Sequence, residues 1–160
     1  MQLFEQMPDH SRVWIYQSDR VLTDAETLLI KQKLRDFIQS WKSHQKSLNA
    51  HANIMYQQFI LLAVDEQYEA PSGCSIDSSV AFLKNLEQEF NINLFDRLKF
   101  AWKADDHQIR CSTRSEFATL YAAGKINDQT IVFNNLVQTK KELLQKWEVE
   151  LALSWHAKMV

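Results

Sequence analysis

The feature that most constrains the fold of this chain is its longest apolar run, Phe-Ile-Leu-Leu-Ala-Val at residues 59–64. The run is far too short to span a bilayer, which takes about 20 residues, so we expect no membrane insertion. A short, continuous and partly β-branched apolar run predicts a strand buried on both faces at the centre of a sheet. It ends in Asp65 and Glu66. Strand ends often carry functional acids, although two acids also suit an ordinary solvated exit.

Further elements follow from apolar periodicity, since alternation predicts strands and steps of three and four predict helices. The predicted strands cover residues 12–18, 48–56, 59–64, 98–102, 109–111 and 130–133, and the predicted helices cover residues 23–44, 76–90, 115–123 and 139–147. Hairpins between helices favour an α+β fold over a doubly wound α/β fold. We expect a single domain over residues 1–160, with residues 1–10 as a partly ordered lead-in. Its mixed or mostly antiparallel sheet would have about five to six strands packed with about four helices.

Charge and cysteine content limit which binding partners and which cellular compartment are expected. The formal net charge is -2 at pH 7, so the chain has no basic excess to neutralise a phosphate backbone, and we expect no nucleic-acid partner. The two cysteines, Cys74 and Cys111, make no disulfide framework and fit a reducing cytosol. The N-terminus lacks the basic and apolar regions of a signal peptide. The sequence therefore predicts a soluble, cytoplasmic protein.

The best candidate for a functional site is Pro-Ser-Gly-Cys-Ser-Ile-Asp-Ser-Ser at residues 71–79, where a strand gives way to a helix. The first turn of a helix leaves about four N–H groups without intrahelical partners, and these groups and the helix dipole favour an anion. Nearby hydroxyl groups add donors. The predicted ligand-binding residues are Ser72, Gly73, Ser75, Asp77 and Ser78, with Glu66 and Asn134 as further contacts.

The same segment also suggests thiol chemistry. Cys74 lies at or just before the first helical turn, where the positive end of the dipole favours the thiolate. If the fold brings His44 close, its imidazole is a candidate base, and Asp65 is a candidate for orienting that base. The sequence thus names Cys74, His44 and Asp65 as candidate catalytic residues, without deciding whether the protein is an enzyme.

Each of these residues also has a purely structural interpretation. Ser75 and Ser78 are suited to cap the helix, while Asp77 complements the dipole and opposes an added anion. His44 continues the apolar stripe of the first helix, which is typical of a hydrogen-bonded helix-end residue. Asn134 follows a predicted strand and is typical of a turn. Both interpretations stay open for every member of the site.

The sequence predicts no metal site and no cofactor. The five histidines are scattered, and none forms a short cluster with metal-ligand spacing. Gly124-Lys125 is followed by Ile126, where a phosphate-binding P-loop needs Ser or Thr, and Thr119 stands where that loop needs its first glycine. ABC-type ATP hydrolysis is therefore not expected, because nothing would hold the nucleotide phosphates.

The chain resembles an uncharacterised family of short bacterial proteins, many of which carry the automatic label "ABC transporter ATPase". The resemblance covers nearly the whole chain and rests on residues 11–18, 59–66, 72–80, 94–97, 130–139 and 155–156. Residues 59–66 look like a Walker-B strand, an apolar run that ends in Asp-Glu, which would account for the label. The resemblance implies no established activity. One departure is Gln45, since members of the family tend to have glycine after the histidine of a Trp-x-x-His pattern.

Three classes of function remain. We favour a module that binds a small ligand, an anion or a protein partner at residues 72–79, because this hypothesis requires the fewest assumptions about geometry. The first alternative is a thiol-dependent enzyme that uses Cys74, which requires this thiol to be exposed. The second is a homo-oligomeric interaction protein, such as a homodimer, that uses a sheet edge or a tryptophan-bearing surface. That alternative requires an exposed apolar patch of roughly several hundred Å².

Overall fold

The computed structural model describes residues 4–160, in which helices are interspersed with single strands and antiparallel hairpins. The strands are β1 (Arg12–Gln17), β2 (Lys42–Ser43), β3 (Lys46–Ser47), β4 (Ala50–Met55), β5 (Phe59–Val64), β6 (Lys99–Lys103), β7 (Ile109–Thr113), β8 (Ile131–Phe133) and β9 (Glu148–Glu150). The helices are α1 (Asp24–Ser40), α2 (Gly73–Phe90), α3 (Arg114–Ala122) and α4 (Lys140–Lys146), followed by 3-10 turns at Leu151–Leu153 and Trp155–Met159. The predicted α+β class is confirmed, and the described residues hold about as many helices as predicted.

The strands of the described residues form three separate antiparallel sheets, with the orders β1-β5-β4, β2-β3 and β7-β6-β8-β9. The prediction of one sheet with about five to six strands is therefore wrong, whereas the antiparallel pairing is confirmed. The six predicted strands divide three and three between the sheets β1-β5-β4 and β7-β6-β8-β9. The strands β2, β3 and β9 were not predicted, because residues 42–44 continued the helical pattern and the segment of β9 has no clear pattern.

The chain forms two compact units. The first comprises Met1–Phe95 with Gln138–Lys141, and the second comprises Asp96–Val137 with Glu142–Val160. A single domain over residues 1–160 stays a prediction. Of its predicted lead-in over residues 1–10, residues 1–3 lie outside the described part of the chain, and Phe4 and Met7 are buried.

Strand β5 forms the centre of the three-stranded sheet, as its apolar run predicts. Every one of its residues is buried, and it pairs with β1 on one edge and with β4 on the other. Both pairings are needed, because a buried backbone N–H or C=O without a partner costs the free energy of a lost hydrogen bond.

Helices α1 and α2 supply the core that covers one face of this sheet. The cluster joins alternate residues of β5 to one face of each helix, and its members include Ile60, Leu62, Val64, Ile30, Leu34, Leu83 and Leu86. Thr23 begins α1 with a capping box, in which its side chain accepts from the Glu26 N–H and the Glu26 carboxylate accepts from the Thr23 N–H. The Arg20 guanidinium hydrogen-bonds the Glu26 carboxylate and helps to hold its pKa down at about 2.

The second unit has its own core, on one face of the sheet β7-β6-β8-β9. Its buried members are Phe100, Trp102, Phe117, Ile126, Val132 and Leu151. Helix α3 ends in a Schellman arrangement, in which the Gly124 N–H donates to Tyr121 and the Lys125 N–H donates to Leu120. Gly124 has φ +70°, which suits a residue without a Cβ. None of the helices within residues 4–160 has the length and apolar character that crossing a membrane requires.

His156 is a buried titratable group of this second core, with 1% of its surface exposed. Its Nδ1 lies 2.7 Å from Ser154 Oγ, and its ring stacks on Trp155 with 3.7 Å between centroids. Phe100 and Phe117 contact the same ring. Burial among these apolar rings disfavours the imidazolium and lowers the pKa of His156 to about 4.

We expect His156 to make the unfolding free energy depend on pH between about 4 and 6.5. Because the folded protein binds this proton more weakly than the unfolded chain does, the group costs no stability above pH ~6.5. It destabilises the fold progressively as the pH falls to about 4, by at most on the order of 3 kcal/mol. Urea unfolding across this range should show that His156→Gln flattens the dependence, whereas His107→Gln, at an exposed turn residue, should not. An unchanged slope in His156→Gln would contradict this assignment.

Candidate functional site

Helix α2 begins with a reciprocal pair of serines. Ser72 is the N-cap, with extended backbone at φ -83° and ψ 172°. Its Oγ accepts from the Ser75 N–H at 3.1 Å, and Ser75 Oγ accepts from the Ser72 N–H at 3.1 Å. Ser75 thus takes the place that Glu or Gln usually has in a capping box. This leaves the first turn of α2 without an acidic residue.

The hairpin β2-β3 packs against this first turn through Ser75. The Ser75 hydroxyl donates to the Lys42 carbonyl at 2.7 Å, and Trp41 Nε1 donates to the Ser75 carbonyl at 2.8 Å. The Leu48 N–H donates to the Trp41 carbonyl at 3.0 Å and closes the base of the hairpin. Since Ser75 is buried, these bonds replace water contacts that its polar groups have lost. Ser75 therefore holds the hairpin onto the helix.

The position of this hairpin corrects the prediction that the first helix extends to about residue 44. Helix α1 ends at Ser40, and Trp41 has extended backbone at φ -74° and ψ 124°. His44 and Gln45 form the tight turn, with φ of 49° and 67°. Left-handed backbone at both central residues is typical of a type I′ turn, which favours glycine at the second position. Gln45 is that second position, where the family described above tends to have glycine.

The hydroxyl groups predicted to contact a ligand are largely used within the helix. Ser78 Oγ donates to the Ser75 carbonyl at 2.8 Å. Ser72 Oγ and Ser75 Oγ lie 2.8 Å apart and contact each other as well as the backbone. The backbone of Gly73 is not left-handed, and a Cβ built there would meet nothing within 4 Å. The local backbone does not require a glycine at this position.

Two backbone donors remain available at this helix start. The N–H groups of Gly73 and Cys74 make no hydrogen bond with the described residues, and both residues are exposed. In α1 and α3, by contrast, the first turn carries acidic residues. Asp77 lies further along α2 and is exposed. The positive end of α2 is thus open to solvent and has no carboxylate in its first turn.

The hairpin that packs on Ser75 carries two further polar groups that pair with none of the described residues. Lys42, whose carbonyl accepts from Ser75, has an exposed side chain that forms no ion pair within residues 4–160. Ser43 is buried, and its Oγ has no hydrogen-bond partner. Because side chains alternate along a strand, Ser43 shares the face of Trp41, which contacts α2. Lys46 is engaged elsewhere, since its Nζ lies 3.7 Å from Glu69 Oε2.

The structure does not join the three candidate catalytic residues. Cys74 is exposed at the start of α2, and His44 is exposed in the hairpin turn. Asp65 is buried, accepts from the Gln67 N–H at 3.0 Å, and has His10 Nε2 at 3.5 Å from the same oxygen. Within the described part of the chain, no hydrogen bond or ion pair connects Cys74, His44 and Asp65. Their catalytic role stays a prediction.

Glu66 and Asn134, the two predicted ligand contacts outside residues 72–79, lie in different parts of the chain. Glu66 is exposed in the connection that follows β5. Asn134 lies in the second compact unit. Its Oδ1 accepts from Trp155 Nε1 at 2.9 Å and from the Leu136 N–H at 3.2 Å. The Asn134 side chain therefore holds a tryptophan and a turn.

The sequence analysis did not identify Lys42 and Ser43 of the hairpin, or His10 beside Asp65, as residues near the candidate site. A signal for the hairpin was present, because the dipeptide Lys-Ser occurs on both sides of His44-Gln45, as two short strands around a two-residue turn require. No comparable local signal linked His10 to Asp65, which are far apart in sequence and meet only in the fold.

No family model matches this chain, and no curated protein or solved structure proves similar to it. Across residues 4–160, no three His, Cys, Asp or Glu side chains come together as metal ligands.

We expect Gln45→Gly to raise the free energy of unfolding by about 0.5–1 kcal/mol. Glycine removes the cost of a Cβ in left-handed backbone, which exceeds the entropy it adds to the unfolded chain. Ser47→Gly is the matched control, because Ser47 lies in extended strand β3 of the same hairpin and should lose stability. Urea unfolding of both variants measures the difference, and a destabilised Gln45→Gly would contradict the turn assignment.

We expect Ser75→Ala to lower the free energy of unfolding by about 1–3 kcal/mol, since it leaves the Lys42 carbonyl and the Ser72 N–H without their partner. Ser78→Ala, which removes one hydroxyl from an exposed residue of the same helix, should cost less than about 0.5 kcal/mol. Hydrogen exchange of the Leu48 N–H should accelerate only in Ser75→Ala. Equal effects of the two variants would mean that Ser75 does not hold the hairpin.

Proposed function

We propose that this protein binds a small soluble anion, through a phosphate or carboxylate group, at the start of helix α2. The observation that carries the proposal is the pair of exposed N–H groups of Gly73 and Cys74, which have no acceptor among the described residues. Two adjacent N–H groups at the positive end of a helix are well suited to an anionic oxygen. No acid in this first turn compensates their positive charge.

Lys42 supports the same assignment from the neighbouring hairpin. Its carbonyl is 2.7 Å from Ser75 Oγ. Because its side chain leaves the strand on the face opposite Trp41 and Ser43, the flexible, exposed chain has to bend back to bring its ammonium to the first turn of α2. A lysine commonly binds phosphate as a point charge in addition to backbone donors. Asp77 opposes an anion, but it lies beyond the first turn, where the dipole effect has already fallen off. In this proposal, the serines of residues 72–79 set the backbone and Lys42 supplies the charge.

The proposal is tested by the alkylation rate of Cys74, because its thiol lies beside the proposed anion. The rate at which N-ethylmaleimide, a neutral reagent, alkylates Cys74 is measured at increasing concentrations of inorganic phosphate. Chloride keeps the ionic strength constant. We expect phosphate to slow the Cys74 reaction in a saturable manner and to leave Cys111, in the second compact unit, unaffected. Acetate in place of phosphate shows whether a carboxylate is also accepted. Unchanged Cys74 rates with both anions would overturn the proposal.

A pair of lysine variants tests how much the charge of Lys42 contributes to phosphate binding. Lys42→Met should weaken phosphate binding about threefold to tenfold, the range expected for one partly exposed charge. Lys31→Met is the matched control, because Lys31 is exposed on α1 and should leave the binding curve unchanged. Equal weakening in both variants would indicate a general ionic effect in place of a site.

Thiol chemistry at Cys74 is the second candidate function, and the exposure of this residue in the first turn of α2 favours it. Its test is the alkylation rate against pH without phosphate. A rate that stays high at low pH, while that of Cys111 falls, would support an activated thiolate. Parallel pH profiles for the two cysteines would remove this candidate. Homodimer formation stays a prediction, for which sedimentation at high concentration is the direct measurement.

A further inference from the structure

The groove between α1 and α2 is a second region of the first unit with features of a ligand site. It is a shallow, open groove of about 440 Å³, a volume that accommodates a small organic molecule. Aromatic and charged side chains from the second half of each helix line it. The groove is separate from the anion site, because no residue of the first turn of α2 belongs to its lining.

The floor of the groove is aromatic and fixed. Phe37 of α1 and Phe82 of α2 stack with 4.4 Å between centroids and 11° between ring planes. Trp41 also contacts Phe37, with 5.2 Å between centroids, and its indole is anchored to Ser75. Both phenylalanines are partly buried against the core. Because the two rings cover each other's faces, the pair offers its ring edges as a preformed contact for the face of another aromatic ring.

The rim of the groove favours a cation. Lys33 and Glu89 form an ion pair at 3.2 Å across the groove, which leaves neither charge unbalanced. Asp36 is exposed, lines the groove, and makes no ion pair within residues 4–160. The last turn of α1 holds no basic residue that would balance Asp36.

We propose that this groove binds a small aromatic ammonium compound. The ring of the ligand packs edge-to-face against the stacked pair Phe37 and Phe82, and its ammonium pairs with Asp36. Charge complementarity selects this class, because the one unbalanced charge on the lining is a carboxylate next to the stacked aromatic pair. The inference does not depend on the anion site, which has the opposite charge preference.

The test uses 2-phenylethylamine as the probe and follows protein amide signals by NMR. The side-chain amide of Asn85 lines the groove and reports on it directly, while the side-chain amide of Asn127 in the second unit is the reference. For a ligand with so few heavy atoms we expect saturable shifts at Asn85 with a dissociation constant of about 1–10 mM. The neutral isostere 2-phenylethanol should bind severalfold more weakly. Equal affinities, or no shift at Asn85, would overturn the proposal.

Three variants distinguish the contribution of the Asp36 charge to ligand binding from that of the aromatic rings. Asp36→Asn should weaken the amine about threefold to tenfold and leave the alcohol unchanged, whereas Asp77→Asn, at an exposed acid of α2 outside the groove, should change neither. Phe82→Leu should weaken both ligands. An unaffected amine in Asp36→Asn would falsify the charge assignment. If the Asn85 signal moves with protein concentration alone, the groove is an interface between copies of the chain and the proposal fails.

Discussion

The complete burial of strand β5 is the constraint on which the first compact unit depends. A strand without a single exposed residue needs a hydrogen-bonded neighbour on each edge, because the apolar surroundings offer its backbone no water. Strand β4 supplies one neighbour by a hairpin whose turn uses left-handed backbone at Tyr56 and Gln57, and β1 supplies the other. Helices α1 and α2 then bury the apolar residues of one face. The start of α2 follows from this arrangement, since the helix must return across the face after β5 ends.

Helices and strands that bury one face could be predicted, because their apolar residues recur at regular spacing in the sequence. Elements whose position depends on contacts with residues far away in the chain could not be predicted. The run at residues 59–64 predicted β5, and the stripe through Leu83 and Leu86 predicted the buried face of α2. The hairpin was missed because Trp41 and His44 continue the spacing of the α1 stripe, while its turn has left-handed backbone without the glycine that usually marks it. Trp41 leaves the helix because its indole N–H finds the Ser75 carbonyl, a contact that no local pattern encodes.

At the candidate site, the sequence likewise predicted the position of the helix start but not the hydrogen bonds of its side chains. The sequence located an exposed helix start with a thiol, and both are present at residues 72–79. It left open whether the serine hydroxyl groups serve the helix or contact a ligand, and in the structure Ser75 and Ser78 donate to protein carbonyls. Serine hydroxyls near a helix start compete for backbone acceptors, and which acceptors are near depends on the hairpin. Lys42 becomes a candidate ligand contact only after the hairpin is placed, because it lies 33 residues before Ser75 in the chain.

The order of contacts along α1 and α2 bears on how much positive potential α2 presents at its start. Lys33 meets Glu89, Phe37 meets Phe82, and Trp41, just after α1, meets Ser75. The two helices therefore run antiparallel, and the carbonyl end of α1 lies near the N–H end of α2. Opposed dipoles placed this way stabilise each other and partly cancel the positive potential that α2 alone would present. If an anion binds the N–H groups of Gly73 and Cys74 as proposed, the sign of the local potential depends on a side-chain charge. Lys42 is the candidate for that charge, because its carbonyl accepts from Ser75 and its side chain forms no ion pair within residues 4–160.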